Sequence, residues 1–102
     1  MVKTPVIIRD HYIVYLEEYQ GMMFIHCDVY KWNKSISKDL KSNFSILKKL
    51  LRTPIYALHE ECLGNKHKKF LNKFGFKHFG NHTDTKGNPV EIFINEELSW
   101  VS

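Results

Sequence analysis

The first third of the chain contains segments rich in β-branched and aromatic residues, as strands are. It predicts strands over residues 6–9, 12–19 and 22–30. Gln20-Gly21 predicts a tight turn between the last two, because glycine adopts positive φ at little cost. One alternate set of side chains in the third strand is wholly apolar and should face the core: Met23, Ile25, Cys27 and Val29. The segment therefore predicts an antiparallel hairpin or a three-stranded meander.

The hydrophobic period changes to that of a helix after residue 36. The large apolar side chains that recur at helical spacing are Leu40, Phe44, Leu47 and Leu51. Ser37 is the predicted N-cap, and Asp39 would lie in the first turn, where its charge suits the helix dipole. Thr53-Pro54 predicts the end of the helix, because the residue before a proline is disfavoured in the helical conformation.

The middle of the chain predicts a strand followed by a second helix. Residues 54–61 (PIYALHEE) predict a buried central strand, since a short apolar run is bounded by turn signals. The next segment, GNKHKKFLNKFGF at residues 64–76, predicts a short basic helix with Asn65 as a cap and Gly75 as its end. The apolar stripe that should hold this helix against a sheet consists of His67, Phe70, Leu71 and Phe74.

Two further strands, at residues 76–80 and 90–95, flank a turn rich in Asp, Gly, Asn and Pro. The predicted order of elements is therefore β-β-β-α-β-α-β-β. Both helices connect strands, so the expected fold is of the α/β (α+β) class, a mixed sheet with helices packed on its faces. One domain is expected to span residues 1–102.

Composition and charge leave several classes of partner open. The chain of 102 residues carries 15 Lys and Arg against 11 Asp and Glu, a net charge of +4. This small excess suits an anionic partner such as nucleic acid or a phosphorylated cofactor, and equally suits solvated lysines on helix surfaces. No apolar run approaches the ~20 residues of a membrane span, and the N-terminus lacks a signal-peptide pattern, so no membrane association is expected. Free thiols at Cys27 and Cys62, in a reducing cytoplasmic compartment, are the simplest expectation.

Side chains able to accept a proton lie in two of the predicted strands. His26 and Asp28 belong to the third strand, and His59 and Glu60 end the central one. Such groups are the general bases that proton abstraction from an amine requires. Three potential metal ligands also occur close together, at His59, Cys62 and His67. No fourth ligand or Cys-x-x-Cys pair accompanies them, so no metal site is predicted.

The strand, Asn-containing loop, helix and Gly-Phe of residues 54–76 resemble the C-terminal motif of the GNAT (Gcn5-related N-acetyltransferase) fold. The segment is most similar to the small, divergent GNAT-like proteins of tailed phages, whose helix reads close to H-x-x-F-L-x-x-x-G. The residues that carry the resemblance are Asn65, His67, Phe70, Leu71, Gly75 and Phe76. In element order it covers roughly residues 22–95, and it implies a compact, mostly antiparallel sheet with two helices.

The resemblance also implies a ligand, acetyl-CoA. In the family, two neighbouring parallel strands splay apart, and acyl-CoA lies in the gap with its pantetheine arm paired to exposed backbone groups. The corresponding strands here are residues 22–30 and 54–61. The implied contacts with the cofactor are Cys27, Val29, Lys34, Ser35, Ser37, Lys38 and Asn65. An unknown amine would accept the acyl group, with Glu60, His59, His26 or Asp28 as the general base.

The chain departs from the family pattern in three places. First, the loop that should hold the pyrophosphate, residues 31–42, contains no glycine. Second, Leu71 occupies the position at which the family often has the tyrosine that protonates the leaving thiolate. Third, about 20 residues precede the long strand, which are too few for the helices that usually build the acceptor pocket.

Three functions therefore stay open. The first is a degenerate acyl-CoA N-acyltransferase. The second is a non-catalytic phage structural or host-interaction protein on the same scaffold, in the host cytoplasm or the virion, that binds a protein partner. The third is a basic nucleic-acid-binding module that uses the lysines of the second helix, Lys66, Lys68, Lys69 and Lys73.

Overall fold

A computed structural model describes residues 3–60 and 64–96. Its elements follow the predicted order: β1 (Thr4–Ile8), β2 (Tyr12–Tyr19), β3 (Met22–Val29), α1 (Lys34–Leu51), β4 (Ile55–Glu60), α2 (Gly64–Lys73), β5 (Lys77–Thr83) and β6 (Pro89–Asn95). The strands form one mixed sheet in the order β1-β2-β3-β4-β6-β5, so the fold is α+β. Neither helix in these two ranges has the length and apolar character to cross a membrane. The predicted thiol at Cys62 lies outside the described residues.

The first three strands form the predicted antiparallel meander. β1 pairs with β2, and β2 pairs with β3 over their whole length, from Tyr12↔Val29 to Tyr19↔Met22. Gln20 and Gly21 both have positive φ, as a two-residue hairpin turn requires. The central position of β4 is also confirmed, since it lies between β3 and β6.

Both helices pack on the same face of the sheet. One apolar cluster contains side chains of β2, α1, β4, α2 and β6, and within it the ring of Phe44 in α1 stacks on Phe76 at 5.6 Å and meets the edge of Phe74 at 6.0 Å. The stripe predicted for α2 is confirmed, with Leu71 and Phe74 buried and Phe70 packed against the cluster. The core therefore lies between this face and the two helices.

The opposite side of the sheet is here called the open face. Because strand side chains alternate, it presents the residues that the helix-side cluster leaves out. Its apolar and aromatic members include Ile13, Tyr15, Phe24, Tyr56, Leu58, Phe79, Ile92 and Ile94. Aromatic rings continue across it, since Tyr56 lies 5.6 Å from Phe24 and 5.5 Å from Phe79.

The start of α1 corrects the predicted N-cap. The helix begins at Lys34, and Asn33, in an extended conformation, accepts a hydrogen bond from the Ile36 N–H at 2.9 Å. Ser37 is instead buried inside the helix, and Asp39 lies beyond the first turn, where it accepts a hydrogen bond from the Tyr12 hydroxyl at 2.6 Å. Asparagine caps as well as serine does, and the earlier start also buries Ile36.

Smaller differences occur at other element ends. α1 ends at Leu51, just before the predicted Thr53-Pro54, with Arg52 in the left-handed conformation. Val29, predicted to face the core, is exposed, because β3 ends there beyond the cover of the helices. The bounds of β1 and β5 also lie a few residues from those predicted. Gly75, at φ 87°, ends α2 as expected.

Candidate functional site

The sheet is interrupted between β3 and β4. These strands run parallel, but they pair only at Met23↔Ile55 and Phe24↔Tyr56. On their outer sides both are fully paired, β3 with β2 over eight positions and β4 with β6 over six. The second halves of the two strands are thus held by their outer neighbours while no pairing joins them to each other, which leaves backbone groups of both strands facing a gap.

A cavity of about 870 Å³ lies at this gap. Its walls include Ile25–Val29 of β3 together with Ala57, Leu58 and Glu60 of β4, and the helices contribute further apolar side chains. Since strand side chains alternate, Cys27 and Ala57 reach it from the helix side and His26 and Leu58 from the open face. The cavity has the size of a small-molecule site, and side chains from both sides of the sheet line it.

One face of α2 gives the cavity a positively charged wall. Lys66, Lys69 and Lys73 line it, and their spacing of three and four residues places them on the same side of the helix. Lys68 faces elsewhere and forms an ion pair with Glu91 at 3.1 Å. The spacing of these lysines is visible in the sequence. Composition alone, however, does not distinguish a lysine row that lines a cavity from ordinary solvated lysines.

Trp32, which the sequence offers equally as an edge cover or an interface anchor, also lines the cavity. It is largely exposed in the connection between β3 and α1, and its ring meets the edge of Phe70 in α2 at 5.6 Å. This contact joins two segments that are far apart in the chain, so no local sequence pattern predicts it. Trp32 provides a flat apolar surface beside the lysine row of α2.

Two histidines join the end of β4 to the first turns of α2. His59 is only 3% exposed, and its Nδ1 lies 2.8 Å from Nδ1 of His67, with the rings stacked at 5.0 Å. At that distance one nitrogen must donate and the other accept, so the pair shares one proton. Burial, and then the nearby His59, lower the pKa of His67, against the opposing effect of Glu60. His67 lines the cavity and His59 lies behind it.

The other predicted catalytic groups lie around the same cavity. His26, Asp28 and Glu60 all line it. His26 is bound to the Glu17 carboxylate at 2.8 Å, and Asp28 is exposed and hydrogen-bonded by Tyr15. Three of the four predicted groups thus line the cavity, and the fourth, His59, is linked to it through its contact with His67.

Cys27 lines the cavity as an inert thiol. Burial, and then the charge of Asp28, raise the pKa of this thiol to about 11. At neutral pH it is therefore protonated, and the thiolate is the form that attacks or binds metals. Among residues 3–60 and 64–96, no group of three His, Cys, Asp or Glu side chains is arranged to hold a metal ion.

The predicted cofactor contacts divide into two sets. Cys27 and Val29 line the cavity. A second set lies in the first turns of the helices, outside the described cavity walls: Lys34, Ser35, Ser37, Lys38 and Asn65. Ser37 is buried and the other four are exposed. The roles of this set stay predictions.

Acidification is expected to destabilise the protein through the histidine pair. Because the pKa of His67 is lowered on folding, the unfolded chain binds the proton more tightly, and stability present above about pH 6.5 is lost as the pH falls through the folded value. The His67→Phe variant keeps a stacked ring without a titrating group. Its melting temperature should fall less than that of the wild type between pH 7.5 and 5.0.

The matched control for this prediction is His82→Phe, which removes an exposed histidine from β5. It should keep the wild-type pH dependence. At pH 7.5, loss of the Nδ1–Nδ1 hydrogen bond should cost His67→Phe about 1 kcal/mol of unfolding free energy. An identical slope in wild type and His67→Phe would show that the pair does not titrate with folding.

Comparisons with protein-family models, with curated proteins and with solved structures found no match to this chain.

Proposed function

We propose that the gap between β3 and β4 binds an acyl-CoA and that the chain transfers its acyl group to an amine, as a compact GNAT-like protein would. One observation carries the proposal. The parallel pairing stops after two positions in the two strands that the sequence resemblance singles out, and a cavity of about 870 Å³ lies at that point. The order of the elements and the Gly75-Phe76 end of α2 are in keeping with it.

The lining suits a long ligand with three chemically different parts. Unpaired backbone groups along the gap match the amides of a pantetheine arm, which hydrogen-bond as a strand does. Apolar side chains such as Ile25, Ala57 and Phe70 suit the short acyl group and the aliphatic parts of the arm. The polyphosphate would lie against Lys66, Lys69 and Lys73, so in this chain α2 replaces the glycine-rich loop as the source of positive charge.

Acyl transfer from a thioester to an amine forms a C–N bond and breaks a C–S bond. The nitrogen loses one proton and the sulfur gains one. His67 is the cavity-lining group best suited to both tasks, because a neutral imidazole accepts at one nitrogen and donates at the other. The proton between the two Nδ1 atoms belongs to one ring or the other. When His67 holds it, the His67 Nε2 accepts; when His59 holds it, the His67 Nε2 donates.

Acetyl-CoA at 1 mM, which is 100 times a Kd of about 10 µM, is expected to raise the melting temperature by about 10–20 °C. A ligand at 100 times its Kd adds about 2.7 kcal/mol to the unfolding free energy, and 1 kcal/mol shifts the melting temperature of a domain this size by about 4–8 °C. Lys69→Glu should weaken binding about tenfold, whereas Lys41→Glu, on the exposed side of α1, should leave it unchanged. His67→Phe should keep the thermal shift and lose thiol release in the presence of amines.

Several outcomes distinguish this proposal from the other two functions. No thermal shift with 1 mM acetyl-CoA contradicts it. A shift without thiol release from any amine, in wild type as in His67→Phe, indicates a binding protein on the same scaffold. A larger shift with a DNA oligonucleotide than with acetyl-CoA, lost on raising the salt concentration, indicates that the lysine row binds nucleic acid.

A further inference from the structure

The Trp32 ring is an open aromatic surface in the wall of the cavity. The residue lines the cavity and is 44% exposed. Within residues 3–60 and 64–96 its one ring contact is with Phe70 of α2, whose own ring stacks on Phe74 at 4.6 Å. Because the contact between Trp32 and Phe70 is edge-to-face, it covers at most one face of the indole, and a planar group can stack on the other.

Lysines of α2 flank this ring on both sides. Lys66, Phe70 and Lys73 follow each other at spacings of four and three residues, so they lie in one line along the helix. The Trp32 ring contacts Phe70 and therefore lies at a level between Lys66 and Lys73, whose backbones are about 10 Å apart along the helix axis. Lys69 lies beside the same line.

The positive charge of this wall is not neutralised by the described part of the chain. α2 carries four lysines and no acidic residue. Lys68 is paired with Glu91, but in the two described ranges Lys66, Lys69 and Lys73 form no ion pair. All three are exposed and line the cavity. An anionic ligand would therefore supply counter-charges to them without displacing an acidic side chain.

We propose that Trp32 and the lysines of α2 form a nucleotide subsite, in which a purine base stacks on the Trp32 ring and phosphates bind Lys66 and Lys73. An exposed aromatic ring beside cations favours a ligand that is planar at one end and anionic at the other, and nucleotides have this composition. Since a lysine lies on each side of the ring, the ligand that fits best has phosphate on both sides of its ribose. That ligand is a nucleoside 3′,5′-bisphosphate.

This subsite extends the proposed function and rests on it in one respect, since the nucleotide of an acyl-CoA is an adenosine phosphorylated at its 3′ and 5′ positions. A single nucleotide also fits better than a strand of nucleic acid. Trp32 is the one exposed aromatic residue among the described residues that line the cavity, whereas successive bases of a strand stack on successive rings. Asp28 and Glu60, in the strands that line the cavity, would repel a polyanion that ran along it.

The experiment is isothermal titration calorimetry of the full chain with adenosine 3′,5′-bisphosphate. Trp32→Leu keeps an apolar contact with Phe70 but removes the flat ring, so it should raise the Kd about tenfold through loss of base stacking. Trp32→Phe keeps an aromatic face and should stay within about threefold of the wild-type Kd. The matched control is Tyr30→Ala, which removes an exposed ring two residues away that is not part of the cavity wall, and it should leave the Kd unchanged.

A second ligand, adenosine 5′-monophosphate, tests the positions of the phosphates. The wild type should bind it about tenfold more weakly than the bisphosphate, because one lysine has no phosphate to bind. Either Lys66→Gln or Lys73→Gln removes the partner of the 3′-phosphate, and in that variant the two ligands should bind about equally. Lys41→Gln, on the exposed side of α1, should keep the wild-type ratio.

No binding of the bisphosphate at about 1 mM overturns the subsite, and so does a Kd that is indifferent to Trp32→Leu. An unchanged ratio in both lysine variants overturns the two-sided arrangement of phosphates. A single-stranded oligonucleotide that competes with the bisphosphate and binds more tightly overturns the choice of a mononucleotide. These failures are distinguishable from failure of acyl transfer, because the bisphosphate has no pantetheine arm and no acyl group. Acetyl-CoA can still give a thermal shift and thiol release without the subsite, and the subsite can bind the bisphosphate when no amine releases thiol.

Discussion

Replacing Phe44 with alanine is expected to lower the free energy of unfolding by about 3–5 kcal/mol. The Phe44 ring joins α1 to the segment between α2 and β5, since it stacks on Phe76 and meets the edge of Phe74. It is buried, so its removal loses both the transfer free energy of the ring and the contacts of every side chain around the space it leaves. Domains of this size are stable by only about 5–15 kcal/mol, so the loss is a large share of the total.

Urea denaturation followed by circular dichroism measures this effect. The matched control is Leu50→Ala on the same helix, whose side chain is 75% exposed, and it should change the free energy by less than about 0.5 kcal/mol. A loss of similar size in both variants would mean that the Phe44 ring does not hold α1 to the segment after α2. The m-value should stay constant if the change acts on stability alone.

Asn95→Asp is expected to be about as damaging at pH 7.5, with a loss of about 3–5 kcal/mol. Asn95 is 1% exposed, and its side-chain amide donates a hydrogen bond to the Phe74 carbonyl at 2.8 Å, which ties the end of α2 to β6. The substitution replaces that donor with a carboxylate oxygen. It brings a charge into the core and sets it against a carbonyl oxygen.

The pH dependence of this variant identifies the cause. Burial raises the pKa of the new carboxyl in the folded state, so stability is present below about pH 3.9 and is lost as the pH rises through the folded value. Asn95→Asp should therefore approach the wild type at acid pH, where the protonated carboxyl can again donate to Phe74. Asn95→Leu, which removes the polar amide without adding a charge, should cost about 1–3 kcal/mol with no such recovery. Equal losses in the two variants at pH 7.5 would rule out the buried charge as the cause.

The fold could be predicted largely because its signals are local. The bounds of β2 are those that the β-branched and aromatic content of residues 12–19 predicted, and the helical spacing of Leu40, Phe44 and Leu47 predicted the buried side of α1. Where two local signals were equivalent, the prediction failed. Asn33 and Ser37 are both good caps, and the burial of Ile36, a tertiary effect, favoured the earlier one.

The candidate site could be predicted only in outline. His26, Asp28 and Glu60 line one cavity because two strands that are neighbours in the sheet carry them, and the resemblance to the GNAT fold had implied that adjacency. The contact between His59 and His67, and that between Trp32 and Phe70, depend on where α2 packs relative to β4 and the loop after β3. No spacing of residues along the chain predicts that placement. The sequence shows the lysines of α2, but it does not show which side of the helix faces a cavity.

Because the ladder between β3 and β4 is short, the two edges of β3 differ in their backbone hydrogen bonding. Amide groups directed at β2 lie in an unbroken antiparallel ladder, whereas from Ile25 onwards those directed at β4 have no strand to pair with. Amide proton exchange with solvent along this half of the strand is therefore expected to alternate between slow and fast from one residue to the next, although β3 lies third in a sheet of six strands. In that respect an interior strand should exchange its amide protons as an edge strand does.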